Sequence, residues 1–249
     1  VKIAVCLKRV PDTATRVRIG GDGKSIDPAD VQYIISPYDE FALEEALLIR
    51  EKAGEGEVTV ITVGPEAASK EVRTALGMGA DAGVIIQAEV ALDPRQIACA
   101  LVGVLKDRGD DLILFGRQSV DSQGAQVAAL VAREMSLPFV NDIISLEIDG
   151  AKVRVGRDTD GGREVIECPL PAILGCDKGL NDPRYPSLKG IMAARKKPVE
   201  TVEAQPVEAS LETIELSLPP ARPEGKIVGE GPDAVSELVR LLREEAKVI

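Results

Sequence analysis

The run Gly116-Arg117-Gln118-Ser119-Val120-Asp121-Ser122-Gln123-Gly124-Ala125-Gln126-Val127 gathers hydroxyls, side-chain amides, a guanidinium and a carboxylate into one short stretch. It follows the apolar, strand-like Asp111-Leu112-Ile113-Leu114-Phe115 and precedes a helix-like pattern from about Gly124 to Met135. Open α/β folds place ligands at that edge, beyond the carboxyl ends of parallel strands, and the N–H groups that open a helix can hold a phosphate. Ser119, Ser122, Gln123 and Gln126 offer uncharged partners for phosphate, ribose or base, and Gly124 permits close approach. Ser36-Pro37-Tyr38-Asp39 and Gly64-Pro65 would line the same edge. An ordinary polar loop between strand and helix has the same composition, so the spacing alone leaves both readings open.

Other chemistries are narrower. The 249 residues include no histidine, which excludes Ser-His-Asp and Cys-His nucleophiles and imidazole metal sites. What remains is carboxylates, hydroxyls, thiols, Lys and Arg, or a borrowed cofactor. Cys6, Cys99, Cys168 and Cys176 show no C-x-x-C spacing and read as buried, reduced thiols of a reducing, cytoplasmic compartment. Gly77-Met78-Gly79-Ala80-Asp81-Ala82-Gly83 has glycines in a dinucleotide-like spacing, but they end a helix and start a strand, which is the wrong context. No G-x-x-x-x-G-K-[ST] occurs. A net charge of −11 argues against a nucleic-acid partner. No stretch reaches the roughly 18 to 20 apolar residues of a membrane span, so direct membrane insertion is not expected.

Two charged stretches stand out. Residues 180–197 collect Arg184, Lys189, Arg195, Lys196 and Lys197 in an otherwise acidic chain. The apolar Leu188, Ile191 and Met192 among them suggest a docking anchor ringed by steering charges, where a plain solvated loop is the simpler alternative. Arg157-Asp158-Thr159-Asp160-Gly161-Gly162 reads first as a turn between strands, and its paired charges could also lock an interface.

The elements that must position these residues alternate. Val1 to Leu7 reads as a first strand rather than a signal peptide. Ser36 as N-cap, Pro37 at the first helical position and Asp39 and Glu40 in the first turn open a helix that should end at Gly54. Strands follow at 57–63, 83–86 and 111–116, separated by helices over about 66–76 and 93–105, and the helix from about 124 leads to a strand at Pro138-Phe139-Val140. Strands joined by helices of this length pair in parallel, so the fold class is α/β with a doubly wound, mostly parallel sheet. Residues 8–35 form a long insertion whose Gly20-Gly21-Asp22-Gly23 suits a small hairpin. Asp149-Gly150 between 143–148 and 152–157 signals a β-hairpin region, followed by a strand at 163–167 and a buried run at 172–174. Residues 177–198 read as a basic loop, 199–227 as extended and proline-punctuated, and 233–247 as an amphipathic helix. The expected division is a nucleotide-binding α/β domain over 1–198 and a C-terminal arm over 199–249 that packs on another chain.

Several of these stretches, in this order, resemble the β (small) subunit of electron-transfer flavoprotein. The likeness rests on Val5-Cys6-Leu7-Lys8-Arg9-Val10-Pro11-Asp12, Ser36-Pro37-Tyr38-Asp39-Glu40, Ala42-Leu43-Glu44-Glu45-Ala46 and Arg73-Thr74-Ala75-Leu76-Gly77-Met78-Gly79-Ala80-Asp81. It continues through Gly116-Arg117-Gln118, Asp160-Gly161-Gly162, and Leu180-Asn181-Asp182-Pro183-Arg184-Tyr185 leading to Lys189-Gly190-Ile191-Met192-Ala193-Ala194-Arg195-Lys196-Lys197. The resemblance implies an adenine-nucleotide alpha-hydrolase-like body in a heterodimer with an α subunit that holds most of an FAD. It implies electron transfer from flavin-dependent dehydrogenases to a downstream quinone-linked oxidoreductase, with no catalytic residue of this chain's own. It further implies a structural AMP held by Cys6, Ser36 to Asp39, Val63 and Gly116 to Val127. By the same likeness Leu188 is the apolar anchor for the donor, and Arg157 and Asp158 face the α subunit. The loop ends in Ala125-Gln126-Val127 as in electron-bifurcating members but lacks their acidic and threonine positions. A second, NADH-oxidising FAD in place of AMP is therefore the alternative. A free-standing adenine-nucleotide-binding module is the other; the phosphate loop it would need, Gly-x-x-Gly followed nine residues on by Gly-Ser or Gly-Thr, is missing.

Overall fold

The computed structural model describes residues 1–88, 92–221 and 224–249. Its strands are β1 (Lys2–Leu7), β2 (Arg9–Pro11), β3 (Tyr33–Ile35), β4 (Glu57–Gly64), β5 (Ala82–Gln87), β6 (Leu112–Gly116), β7 (Phe139–Asp149), β8 (Lys152–Thr159), β9 (Gly162–Pro169), β10 (Ala172–Cys176) and β11 (Val199–Glu203). Its helices are α1 (Pro37–Ala53), α2 (Ser69–Met78), α3 (Pro94–Leu105), α4 (Val127–Met135), α5 (Leu188–Ala194) and α6 (Val235–Glu244).

Among the described residues, nine strands form one sheet in the order β11-β5-β4-β1-β6-β10-β7-β8-β9. The pairings from β11 to β7 are parallel, and β8 and β9 extend that edge antiparallel. Alternation along the strands separates two apolar layers, as the two-residue period of a strand requires. Ile3, Val5 and Leu7 face Leu43, Leu47, Val72 and Leu76 of α1 and α2. Ala4 and Cys6 face the opposite way, with Ile113 and Phe115, toward Leu101, Leu105 and Val131 of α3 and α4. The sheet is therefore doubly wound. From β1 the chain moves outward to β4 and β5 and then returns across β1 to β6, so the winding reverses at the β1–β6 junction.

The hairpin signalled by Asp149-Gly150 joins β7 to β8, with Asp149 opposite Lys152. Asp160-Gly161 turns β8 into β9. In the insertion, β2 pairs with β3 and Ile19 bridges Ile26 around the glycine-rich tip.

Four expectations are corrected. The fourth helix starts at Val127 rather than Gly124, because Gln123 and Ala125 both sit at φ 51°, in the left-handed region that no right-handed helix can include. The basic loop contains α5, opened by the Ser187 hydroxyl accepting the Gly190 N–H at 3.0 Å. The run from Val199 opens as a sheet strand, since Val199–Glu203 pairs with β5 residue for residue. Of the four cysteines, all free, Cys6 and Cys176 are buried but Cys99 and Cys168 only partly so. The extended run expected over 199–227 also includes positions 222 and 223, which lie outside the described residues.

Beyond β11 the arm lies along its own body before leaving it. Gln96 donates to the Val207 carbonyl at 2.8 Å, the Leu211 N–H donates to Asp93 at 3.0 Å, and the Leu216 N–H donates to the Gly23 carbonyl at 2.8 Å. The arm ends in α6, in which no residue is buried and whose Val235, Leu238 and Val239 stand exposed. No helix among the described residues is long and apolar enough to cross a membrane.

Candidate functional site

At the β1–β6 junction the strand ends and the loop after β6 enclose a cavity of about 300 Å³. Its construction begins with α1. Pro37 and the acidic first turn place Asp39 over the carboxyl ends of both strands, where its carboxylate accepts the Lys8 N–H at 2.7 Å and the Gly116 N–H at 3.0 Å. Burial pushes Asp39 up from the ordinary carboxylate range to about 7, against the opposing pull of those two N–H groups and the Lys8 charge. Gly116 is required here, because a Cβ would stand 2.5 Å from the Asp39 Oδ1 and 2.6 Å from the Tyr38 carbonyl carbon.

One end of the cavity is polar. The Lys8 ammonium pairs with Asp121 at 2.8 Å and lies 3.3 Å and 3.4 Å from the Ser119 and Ser122 hydroxyls, which are themselves 3.0 Å apart. Burial raises Asp121, yet the Lys8 hydrogen bond and charge prevail and hold it below its ordinary value. The remaining wall is apolar, formed by Val63, Ile97, Leu101, Phe115 and Ala128. The cavity therefore joins hydrogen-bond donors suited to an anion at one end to an apolar slot at the other. The volume sits at the lower end of the roughly 300–1,000 Å³ usual for ligand pockets.

Of the residues anticipated for this site, Cys6, Asp39, Val63, Gly116, Arg117, Gln118, Ser119, Ser122, Gly124, Ala125, Gln126 and Val127 line the cavity. Ser36, Pro37, Tyr38, Val120, Asp121 and Gln123 do not. Ser36 is fully buried at the start of α1, and its hydroxyl finds no partner among the described residues. The Tyr38 ring lies 5.3 Å from the Arg117 guanidinium, which Asp177 and Asp142 hold at 2.8 Å and 3.6 Å. A Cβ on Gly124 would meet open space and its φ is not positive, so neither strain nor crowding demands glycine there.

Leu7, Lys8, Leu92, Pro94, Ile97, Leu101, Phe115 and Ala128 also line the cavity and were not anticipated. Lys8 carried a usable signal, as the first residue after the strand at which the winding reverses. Ile97 and Leu101 carried none, because on a helix their spacing is that of ordinary core.

The residues anticipated for docking divide. Leu188 and Met192 are 84% and 72% exposed, Ile191 is half-exposed, and Tyr185 just before them is 94% exposed. Arg195 and Lys196 face solvent. Lys197 does not join them: its ammonium donates to the carbonyls of Leu76 and Ala80 and closes the C-terminal end of α2. Arg157 and Asp158 each have a partner across the β8–β9 hairpin, Glu164 at 2.8 Å and Arg163 at 2.9 Å.

An electron transfer flavoprotein domain matches residues 24–207, well over half of the chain. A protein of Bacillus subtilis described as electron transfer flavoprotein subunit beta is 43% identical over 260 residues and matches over the whole of both chains. Proteins of the same description from Syntrophomonas wolfei and Sus scrofa are 40% and 32% identical, each over all of this chain and at least 98% of the relative.

Proposed function

The chain belongs to the electron transfer flavoprotein family as a beta subunit, and from that premise we propose that its cavity holds AMP while its exposed α5 receives the electron donor. A beta subunit of this family is part of an electron carrier and partners an alpha subunit. The further reading is that the alpha subunit holds most of the FAD, that flavin-dependent dehydrogenases reduce it, and that a quinone-linked oxidoreductase reoxidises it. The flavin supplies the redox chemistry, and this chain supplies position and electrostatics.

The observation that carries the AMP assignment is the cavity's size and polarity together. Lys8, Ser119 and Ser122 would meet the phosphate, and the slot between Val63, Ile97 and Leu101 would take the adenine. A cavity of about 300 Å³ suits a mononucleotide better than a dinucleotide such as a second FAD. Against a free-standing nucleotide module stands α6, which has no buried residue among the described residues and exposes Val235, Leu238 and Val239. The four free cysteines accord with a reducing compartment such as the cytoplasm.

Anaerobic mixing tests the division of labour. The purified αβ complex should be reduced by a flavin dehydrogenase carrying its own substrate and left oxidised by NADH alone. Stoichiometric bleaching by NADH would instead support an electron-bifurcating flavin in this subunit.

A further inference from the structure

The exposed anchor residues sit on a segment clamped at both ends. On its C-terminal side the Arg73 guanidinium donates to the carbonyls of Ala194 and Lys197 at 2.6 Å and 2.8 Å. There α5 also crosses α2 so closely that a Cβ on Gly190 would overlap the Gly77 carbonyl oxygen. On its N-terminal side a single residue makes most of the attachment. The Arg184 guanidinium forks onto Glu44 at 2.8 Å and onto Glu51 at 2.6 Å, and its backbone N–H donates to Glu44 at 3.1 Å. Glu44 and Glu51 lie seven positions apart on α1, two turns along one face. Asn181 adds bonds to the Phe41 carbonyl at 3.0 Å and to Glu45 at 2.9 Å. Arg184 stands four residues before Leu188, so the fork fixes where the segment leaves α1 and turns into α5.

We propose that Arg184 is a positioning residue for donor docking: its fork on Glu44 and Glu51 holds α5 so that Leu188 and Met192 stand out as a pre-formed anchor. This rests on the reading that α5 receives the donor. The physical reason is preorganisation. An apolar anchor on a loose loop pays ordering entropy at each encounter, whereas one already held loses little on binding. A planar guanidinium is suited to the role because one rigid fork satisfies two carboxylates, which an ammonium cannot match. Arg184 is itself only partly exposed and its guanidinium is taken up by Glu44 and Glu51, so its contribution runs through the side chains that α5 presents.

The test uses the FAD-loaded αβ complex and a soluble flavin dehydrogenase that reduces the wild-type complex, charged with its own substrate. Rates of flavin reduction against dehydrogenase concentration give KM and kcat. Leu188→Ala should raise KM about thirtyfold, the scale of a lost hot-spot anchor. Arg184→Met should raise KM roughly tenfold and Arg184→Lys roughly threefold, with kcat and flavin content unchanged. In the Leu188→Ala background, Arg184→Met should add less than about twofold, because the anchor it positions is gone. Removing Arg184 leaves the buried Glu44 without its cation, so Glu51→Gln, at the half-exposed end of the fork, is the companion variant. It should raise KM roughly twofold to threefold with no change in flavin content. An unchanged KM in Leu188→Ala would overturn the docking reading and this inference with it. An impaired Leu188→Ala with normal KM in Arg184→Lys and Glu51→Gln would overturn the positioning role alone. Full additivity of Arg184→Met with Leu188→Ala would do the same.

Discussion

Asp39 and Gly116, 77 positions apart, meet where a carboxylate oxygen accepts a backbone N–H at 3.0 Å. With the second oxygen on the Lys8 N–H at 2.7 Å, one side chain ties the ends of β1 and β6 together at the point where the sheet's winding reverses. The cavity depends on that tie, so substitutions here should empty it before they unfold the chain. Gly116→Ala drives a methyl to 2.5 Å from Asp39. The expected cost is about 1–3 kcal/mol of stability from overpacking, with loss of bound nucleotide. Denaturant unfolding together with nucleotide content after purification checks it; wild-type values for both would show that the strand ends tolerate a side chain.

Asp39 also predicts a pH dependence. Its carboxyl ionises at about 7 in the folded chain and at about 3.8 when free. Between those values the native state holds a proton that the unfolded state has released, so stability falls as pH rises. The contribution is complete below about pH 4 and is lost through about pH 7. Asp39→Asn removes this slope but offers one acceptor oxygen to two N–H donors, at a cost of roughly 1–3 kcal/mol. The penalty of the substitution, measured by urea unfolding, should therefore shrink as pH rises from 4 to 7. A penalty that stays level or grows over that range would show that Asp39 is ionised throughout.

Lys8 is the cation that faces the cavity's polar end with Ser119 and Ser122. Lys8→Met should weaken AMP binding by about ten- to a hundredfold, the range expected for a lost charge-assisted hydrogen bond. It should also let the Asp121 carboxyl rise, since the Lys8 hydrogen bond and charge now outweigh its burial. Calorimetric titration of AMP into the nucleotide-stripped complex measures the first effect. An unaltered affinity would move the phosphate elsewhere.

Among the described residues no part of α6 is buried, and its Val235, Leu238 and Val239 stand exposed. Deleting residues 232–249 should weaken the αβ complex by at least about tenfold in Kd, as the loss of interface anchors would. Hydrogen-exchange protection of β1 and β6 should not change. Sedimentation of the truncated complex measures the first. An intact complex would show that α6 is not part of the interface.

Much of this architecture was legible from sequence because its signals were local. Pro37 with Asp39 and Glu40 opened α1, Asp149-Gly150 turned β7 into β8, and the loop after β6 marked the cavity's rim. The failures were of another kind. Lys8 stood out locally only as the residue after β1; what brings it to Ser119 is that β1 and β6 are neighbours, a relation between residues far apart in the chain. Ile97 and Leu101 line a cavity but have the spacing of core, which periodicity cannot tell apart. The short α5 carries Gly190 and follows Pro183 and Pro186, so its few residues never show a helical period, and it is held instead by Arg184 and Arg73. Lys197 read as a surface charge because its partners, the Leu76 and Ala80 carbonyls, belong to the end of another helix.

AMP and not a flavin is the proposed occupant of this chain's cavity. Denaturing extraction of the purified αβ complex, with the released nucleotides separated and counted, tests it directly. The expected result is one FAD and one AMP per heterodimer, with AMP lost in Gly116→Ala. Two FAD per heterodimer and no AMP would contradict it.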